Sequence, residues 1–256
     1  MPDFHVEALH YKLEVAPGLE FREPPPLTGD TVDFSYRLEN AVLVVTMKTH
    51  LATEEEARVC VEPFLRAWEL DNALFRHRRY LTFKFDRSEV IDREPRKPGE
   101  PIVLHVKPIS ILCLVDVANV VVSQPTYPAP PAQFVASPEA ENMWFRYDRC
   151  IHGGEPLTSM GYFCLTQLTT TAGNRNDAAL QYSIESKVLS ELGRLTTTRG
   201  NVTEARKVEA GAMLTDLTEA EKTWILSAVR ALIRRKGEYD ANPTGTFKRI
   251  TMADIT

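Results

Sequence analysis

The 256-residue chain is poor in cysteine, and its four thiols, Cys60, Cys113, Cys150 and Cys164, nowhere stand at Cys-x-x-Cys spacing. That spacing marks structural zinc sites and redox pairs, so neither is indicated, and each thiol reads as a small buried hydrophobe. Long apolar runs are also missing. The richest stretch, 109–122, is broken by Asp116 and Asn119 and falls short of the roughly 20 residues that cross a bilayer, so no membrane association is expected. An excess of positive charge is absent too, with 30 Lys+Arg against 35 Asp+Glu and a net charge of −5. Up to Gln124 there are 15 basic and 20 acidic residues, and beyond it 15 of each. A nucleic-acid surface would therefore have to be a local patch. The templates of hydrolases, P-loop proteins and zinc proteases (Gly-x-Ser-x-Gly, a glycine-rich phosphate loop, His-Glu-x-x-His) do not occur. Of the histidines at 5, 10, 50, 77, 105 and 152, only His152 has a neighbour at ligand spacing, Cys150. No metal and no cofactor are expected. The first residues lack a basic start followed by an apolar core, which leaves a cytoplasmic location as the expectation.

What the chain does have is a proline cluster. Pro125, Pro128, Pro130 and Pro131 fall within seven residues, where they can neither donate to a sheet ladder nor continue a helix. The sequence divides there into an α+β domain over 1–124, a proline-rich linker over 125–136 and a helical domain over 137–256. In the first part, residues 32–38 alternate apolar and polar, and residues 41–47 are almost wholly apolar, which predicts a β-hairpin turning at Glu39-Asn40. The alternation places Val32, Phe34, Tyr36 and Leu38 on one face, and the apolar partner reads as a strand covered on both sides. Leu81, Phe83 and Phe85 predict another half-buried strand, with further strands over 11–15, 102–106 and 111–122. Between hairpin and strand, Thr53-Glu54-Glu55-Glu56 opens a helix with a capping box. Its stripe of Ala57, Cys60, Val61, Phe64, Leu65, Trp68 and Phe75 is spaced to pack on an antiparallel sheet.

Beyond the prolines, Ser137-Pro138-Glu139 is a helix start of cap, first-turn proline and acid. It leads into Met143, Trp144 and Tyr147. Leu157, Gly161, Cys164 and Leu168 form a second helical stripe. Leu180, Ile184, Val188, Leu192 and Leu195 form a third, with an interruption at Ser183. Thr218 to Glu221 is another capping box, opening a helix that turns Ile225, Ala228, Val229 and Leu232 inward. The expectation is a bundle of four helices with a tail beyond Tyr239 that is loose or packs late.

The segment Arg146-Tyr147-Asp148-Arg149-Cys150-Ile151-His152 sets an arginine five intervening residues before a histidine. In a helical bundle this resembles the signature of the HEPN superfamily, many members of which are metal-independent ribonucleases of toxin or antiviral systems. The resemblance covers about half the chain. It implies a cleft between two subunits in which Arg146 holds phosphate charge and His152 donates or accepts a proton. The same residues also read as a helix C-terminus, with Arg146 paired to a carboxylate and His152-Gly153-Gly154 ending the helix.

Two basic clusters are candidate nucleic-acid contacts: Arg76, Arg78 and Arg79 after the first helix, and Arg234 and Arg235 near the last. Arg194, Arg199, Arg206 and Lys207 form a looser third group around Gly200. Each is also what dipole complementarity places at a helix C-terminus. With no catalytic template elsewhere, the first expectation is a protein-interaction or accessory protein. Trp144, Phe145 and Tyr147 run round more than one helical face and would serve a protein partner or self-association. A HEPN-like ribonuclease acting on RNA and non-catalytic nucleic-acid binding are the alternatives.

Overall fold

The structure is a computed structural model that describes residues 3–76, 80–94, 122–199 and 215–255. It has the α+β architecture expected, in two compact units, Met1–Pro130 and Pro131–Thr256. Among the described residues no helix is long and apolar enough to cross a membrane.

The first unit contains β1 (Phe4–Val15), β2 (Leu19–Phe21), β3 (Leu27–Asp30), β4 (Phe34–Glu39), β5 (Val42–Met47), α1 (Glu54–Arg76), β6 (Leu81–Asp92) and β7 (Val122–Gln124). Five strands make an antiparallel sheet in the order β3-β4-β5-β1-β6, and β2 pairs β7 in parallel. The hairpin turns at Asn40 and Ala41, both left-handed at φ 52 and 58, the two-residue turn whose twist suits flanking strands. Phe34, Tyr36 and Leu38 on β4 bury together with Leu43, Val45 and Met47 on β5. Two expectations are corrected here. Val32 lies outside the strand and is exposed, and β5 is not covered on both sides, since Val42 and Val44 are only half-buried. The expected strand over 102–106, and that over 111–122 apart from Val122, lie outside the described residues.

Helix α1 opens as anticipated: Glu56 Oε2 accepts from the Thr53 amide at 3.1 Å and the Glu56 amide donates to Thr53 Oγ1 at 3.2 Å. Ala57, Val61, Leu65 and Trp68 lie in the core formed with the inward faces of the sheet. Aromatic rings tie the layers together, Phe64 lying 5.4 Å from both Phe34 and Tyr36, and Trp68 4.9 Å from Phe83. Phe75, placed in the stripe by its spacing, is exposed.

The second unit contains α2 (Pro138–Ile151), α3 (Leu157–Ala172), α4 (Arg175–Gln181), α5 (Ser186–Thr198), α6 (Glu219–Ala241) and a 3-10 turn at Met252–Asp254. Among the described residues five helices thus stand where four were expected. The third stripe is cut at Ser183, which is left-handed at φ 51, with the Ile184 amide donating to the Ala179 carbonyl at 2.9 Å, a helix-stop geometry. The cut turns Leu180 out to solvent while Ile184, Val188, Leu192 and Leu195 stay buried. Gly161 sits at a three-helix contact: a Cβ there would lie 2.8 Å from Thr196 Cγ2 and 3.2 Å from Ile225 Cγ2.

The tail is not loose. Ile184 bridges to Ile250, the Glu185 amide donates to the Ile250 carbonyl at 2.8 Å, and Ile255 is buried. Arg235, 5% exposed, donates to the carbonyls of Tyr182 (2.6 Å), Ser183 (3.1 Å) and Lys248 (2.7 Å), with its guanidinium 5.1 Å above the Phe247 ring. Its Nε also donates to Glu238 Oε2 at 3.0 Å, so the charge is met by a carboxylate as well as by backbone acceptors on both the α4–α5 elbow and the tail, which is how a buried guanidinium is tolerated.

Candidate functional site

Helix α2 carries the sequence-predicted pair. Ser137 caps it, its hydroxyl accepting from the Ala140 amide at 3.2 Å, and Pro138 occupies the first turn with Glu139 and Glu141. The helix is amphipathic because Ala140, Met143, Trp144 and Tyr147 recur at three- and four-residue spacing and all are buried. Trp144 and Tyr147 stack on each other at 5.5 Å within that core. They are therefore packing residues, which corrects the reading of them as a partner surface. Burial also raises the Tyr147 phenol above its ordinary pKa.

The opposite side of α2 is a solvent stripe. Pro138, Asn142, Phe145, Arg149 and His152 follow one another at i, i+4, i+7, i+11 and i+14, and all are exposed. Phe145 is 54% exposed, a large value for a phenylalanine. The Arg149 guanidinium lies 5.8 Å from its ring centroid, while Arg149 Nη2 donates to the Gly154 carbonyl at 3.0 Å. That tether sets the guanidinium near Phe145 and engages one of its donors.

His152 is the C-cap. Its amide donates to the Asp148 carbonyl at 3.3 Å, Gly153 takes φ 75, and the Gly154 amide returns to the Arg149 carbonyl at 2.8 Å. A residue with a Cβ would be strained at that φ, which is the reason for glycine there. The His152 side chain is 67% exposed. Its Nδ1 lies 2.7 Å from the Asp148 carbonyl oxygen; a carbonyl only accepts, so Nδ1 carries the hydrogen and the neutral ring offers Nε2 as a base.

The chain then folds back so that Glu155, whose side chain is only 7% exposed, meets Arg146. Arg146 Nε is 2.6 Å from both carboxylate oxygens, Nη2 also pairs with Oε1, and the guanidinium lies 4.5 Å over the Phe163 ring. The hydrogen bond to Glu155 raises the Arg146 pKa still further. Six positions separate Arg146 from His152, which on a helix of 3.6 residues per turn sets them about 120° apart round the axis. The structure thus groups His152 with Phe145 and Arg149, and Arg146 with Glu155 and Phe163. The sequence reading missed Arg149 and Glu155. Arg149 was legible as the residue three before His152, whereas Glu155 lies beyond the helix stop, where no periodicity points to it.

The nucleic-acid candidates fall as follows. Arg76 ends α1 with its guanidinium 5.5 Å and 5.0 Å from the Phe75 and Tyr80 rings. Arg78, Arg79, Arg206 and Lys207 lie outside the described residues. Arg234 pairs with Glu238 at 3.2 Å, and Arg235 holds the tail as described. Both stand inside α6, two turns before its end at Ala241, so the dipole reading of that cluster does not apply. Arg194 and Arg199 reach Glu191 at 2.7 Å and Glu221 at 3.4 Å respectively. Among the described residues Cys60, Cys150 and Cys164 are free thiols, and burial raises the Cys164 pKa well above the ordinary range. Among those residues no His, Cys, Asp and Glu side chains gather as a metal site. Comparison of the chain with protein-family models, curated proteins and solved structures finds no match.

Proposed function

We propose that this chain is a protein-interaction or accessory protein that engages its partner through the outer stripe of α2. The observation that carries the reading is the solvent-facing row of Phe145, Arg149 and His152, with the Arg149 guanidinium against the ring. A single exposed aromatic is ordinary on a protein surface. An exposed aromatic flanked by arginine has the composition of interface hot spots. The test is purification of the full chain from its native cells with Phe145→Ala and Arg149→Ala beside the wild type, with mass measured in solution. A stoichiometric partner, or self-association, that disappears with either substitution supports the reading. A wild-type chain that runs as a monomer with nothing bound sinks it.

A second reading, a HEPN-like metal-independent ribonuclease of a toxin or antiviral system, draws on the fixed tautomer of His152. With Nδ1 donating to the Asp148 carbonyl, the exposed Nε2 is the atom that would take a proton from a ribose hydroxyl; Arg146, the phosphate holder in that reading, would first have to leave Glu155. It predicts RNA cleavage without added metal that His152→Ala abolishes while the fold persists. Failure of the wild type to cleave a panel of RNAs ends it.

A further inference from the structure

Resting on the α2 reading, we infer that the occupant of this stripe is an acidic peptide segment bearing one apolar anchor residue. The charge of the stripe selects the sign. Among the described residues Arg149 is held by a backbone carbonyl rather than a carboxylate, so its charge faces the surface uncompensated by a salt bridge. Of the nearby carboxylates, Glu155 is paired with Arg146, and Asp148 lies on the Nδ1 side of His152 at 3.7 Å, away from the outward Nε2. An approaching ligand therefore meets a guanidinium, an imidazole and a phenyl ring in a row. From Phe145 to His152 that row spans seven residue steps, about 10 Å on a helix rising about 1.5 Å per residue.

The magnitude of the charge separates peptide from nucleic acid. A phosphate backbone gains its affinity by displacing counterions over many contacts, commonly six or more cations. Here Arg194, Arg199, Arg234 and Arg235 are spent on Glu191, Glu221 and Glu238, and Arg230 donates to Ser227 Oγ at 3.2 Å. One outward guanidinium, to which the imidazole adds a second donor only when its Nε2 is protonated, suits an acidic side chain and falls short of a nucleic-acid footprint. Nor is the Phe145 ring open as a stacking platform, since Arg149 already lies against it; its exposed remainder suits an aliphatic side chain. An extended peptide advances about 3.3 Å per residue, so two adjacent aspartates with a leucine three residues on span the row.

The experiment is fluorescence anisotropy with the full chain and a fluorescein-labelled peptide of that pattern. A version with lysines for the aspartates and a labelled ten-nucleotide oligouridylate run in parallel. The acidic peptide should bind, weakening at least tenfold with Arg149→Glu and again with Phe145→Ala. Lys187→Glu, a charge change on exposed α5 surface, should leave binding as it was. Equal binding of the lysine peptide, tighter binding of the oligouridylate, or affinity indifferent to Arg149→Glu and Phe145→Ala overturns the inference. So does light scattering that finds a wild-type dimer dispersed by Arg149→Glu, which would make a second copy the occupant. If the peptide does not bind the wild type at all, the acidic assignment fails. The broader α2 reading is then decided separately by the purification experiment, which presumes no charge on the partner.

Discussion

Arg146 and Glu155 are joined by a guanidinium that reaches both carboxylate oxygens from one nitrogen at 2.6 Å, across the stop that ends α2. The pair fastens the loop after the helix to the helix itself, and because Glu155 is nearly inaccessible it is more than a surface ion pair. Charge-assisted hydrogen bonds of this kind contribute about 1.5–3 kcal/mol. Glu155→Gln and Arg146→Gln should each lower urea-unfolding stability by about that amount. The double variant should lose less than the sum, since neither charge is then left unpartnered. Strict additivity of the two would mean that the pair contributes nothing.

A second expectation concerns Arg235. Its substitution by methionine keeps much of the volume but abandons three carbonyls at once, each costing about 1–3 kcal/mol when buried without a donor. The loss should exceed about 3 kcal/mol, and limited proteolysis should begin to cut the segment after Asn242, which the guanidinium ties to the α4–α5 elbow. Arg235→Lys should rescue little, because one ammonium cannot span the same acceptors.

Gly161 marks the closest approach of α3 to α5 and α6. Alanine would normally favour a helix over glycine by about 1 kcal/mol. Here the added carbon would lie 2.8 Å from Thr196 Cγ2, and overpacking costs about 1–3 kcal/mol. Gly161→Ala should therefore destabilise, seen as a lower denaturation midpoint, and Thr196→Ser combined with it should restore part of the loss by removing the clashing methyl.

Acid should weaken the first unit through His5. Its ring is fully buried and stacks on His50 at 5.3 Å, and its Nδ1 accepts from the Leu51 amide at 3.4 Å. Its pKa is lowered from 6.5, chiefly by burial and then by Arg93 and His50, against the opposite pull of Glu7 and Asp3. The unfolded chain then binds the proton more readily than the folded one. Stability should be level above about pH 6.5 and fall as pH drops below it. His50→Asn, which removes one of the opposing charges, should make that fall shallower. A urea midpoint independent of pH between 7.5 and 5 would contradict this account.

The helix starts were legible because capping is a matter of three or four residues. Thr53 with Glu56, Ser137 with Pro138, and Thr218 with Glu221 all cap as their spacing requires. The extent of β1 was not legible. Its pairing with β6 shifts register between Val6 and Ala8 and again between His10 and Tyr11, which breaks the two-residue period. Val6, Ala8, Leu9 and His10 are consequently all buried, and no alternation announces a strand before Tyr11. In the candidate site, His152 and its glycine stop could be read directly. The division of labour that leaves Phe145 and Arg149 beside it, and draws Arg146 away to Glu155, could not.

Taken alone, the order of residues determined the α+β class, the hairpin and the helix beginnings, since each depends on hydrogen bonds and side-chain periodicity among near neighbours. Which charges are free to act was decided by the tertiary structure. Arg235 and Arg234 are adjacent in the chain and both reach Glu238, yet the first is buried among carbonyls up to 53 residues away and the second is exposed. Desolvation depends on the packing around a group and not on its neighbours along the backbone, so three-dimensional structure alone separates a structural cation from one that can meet a partner.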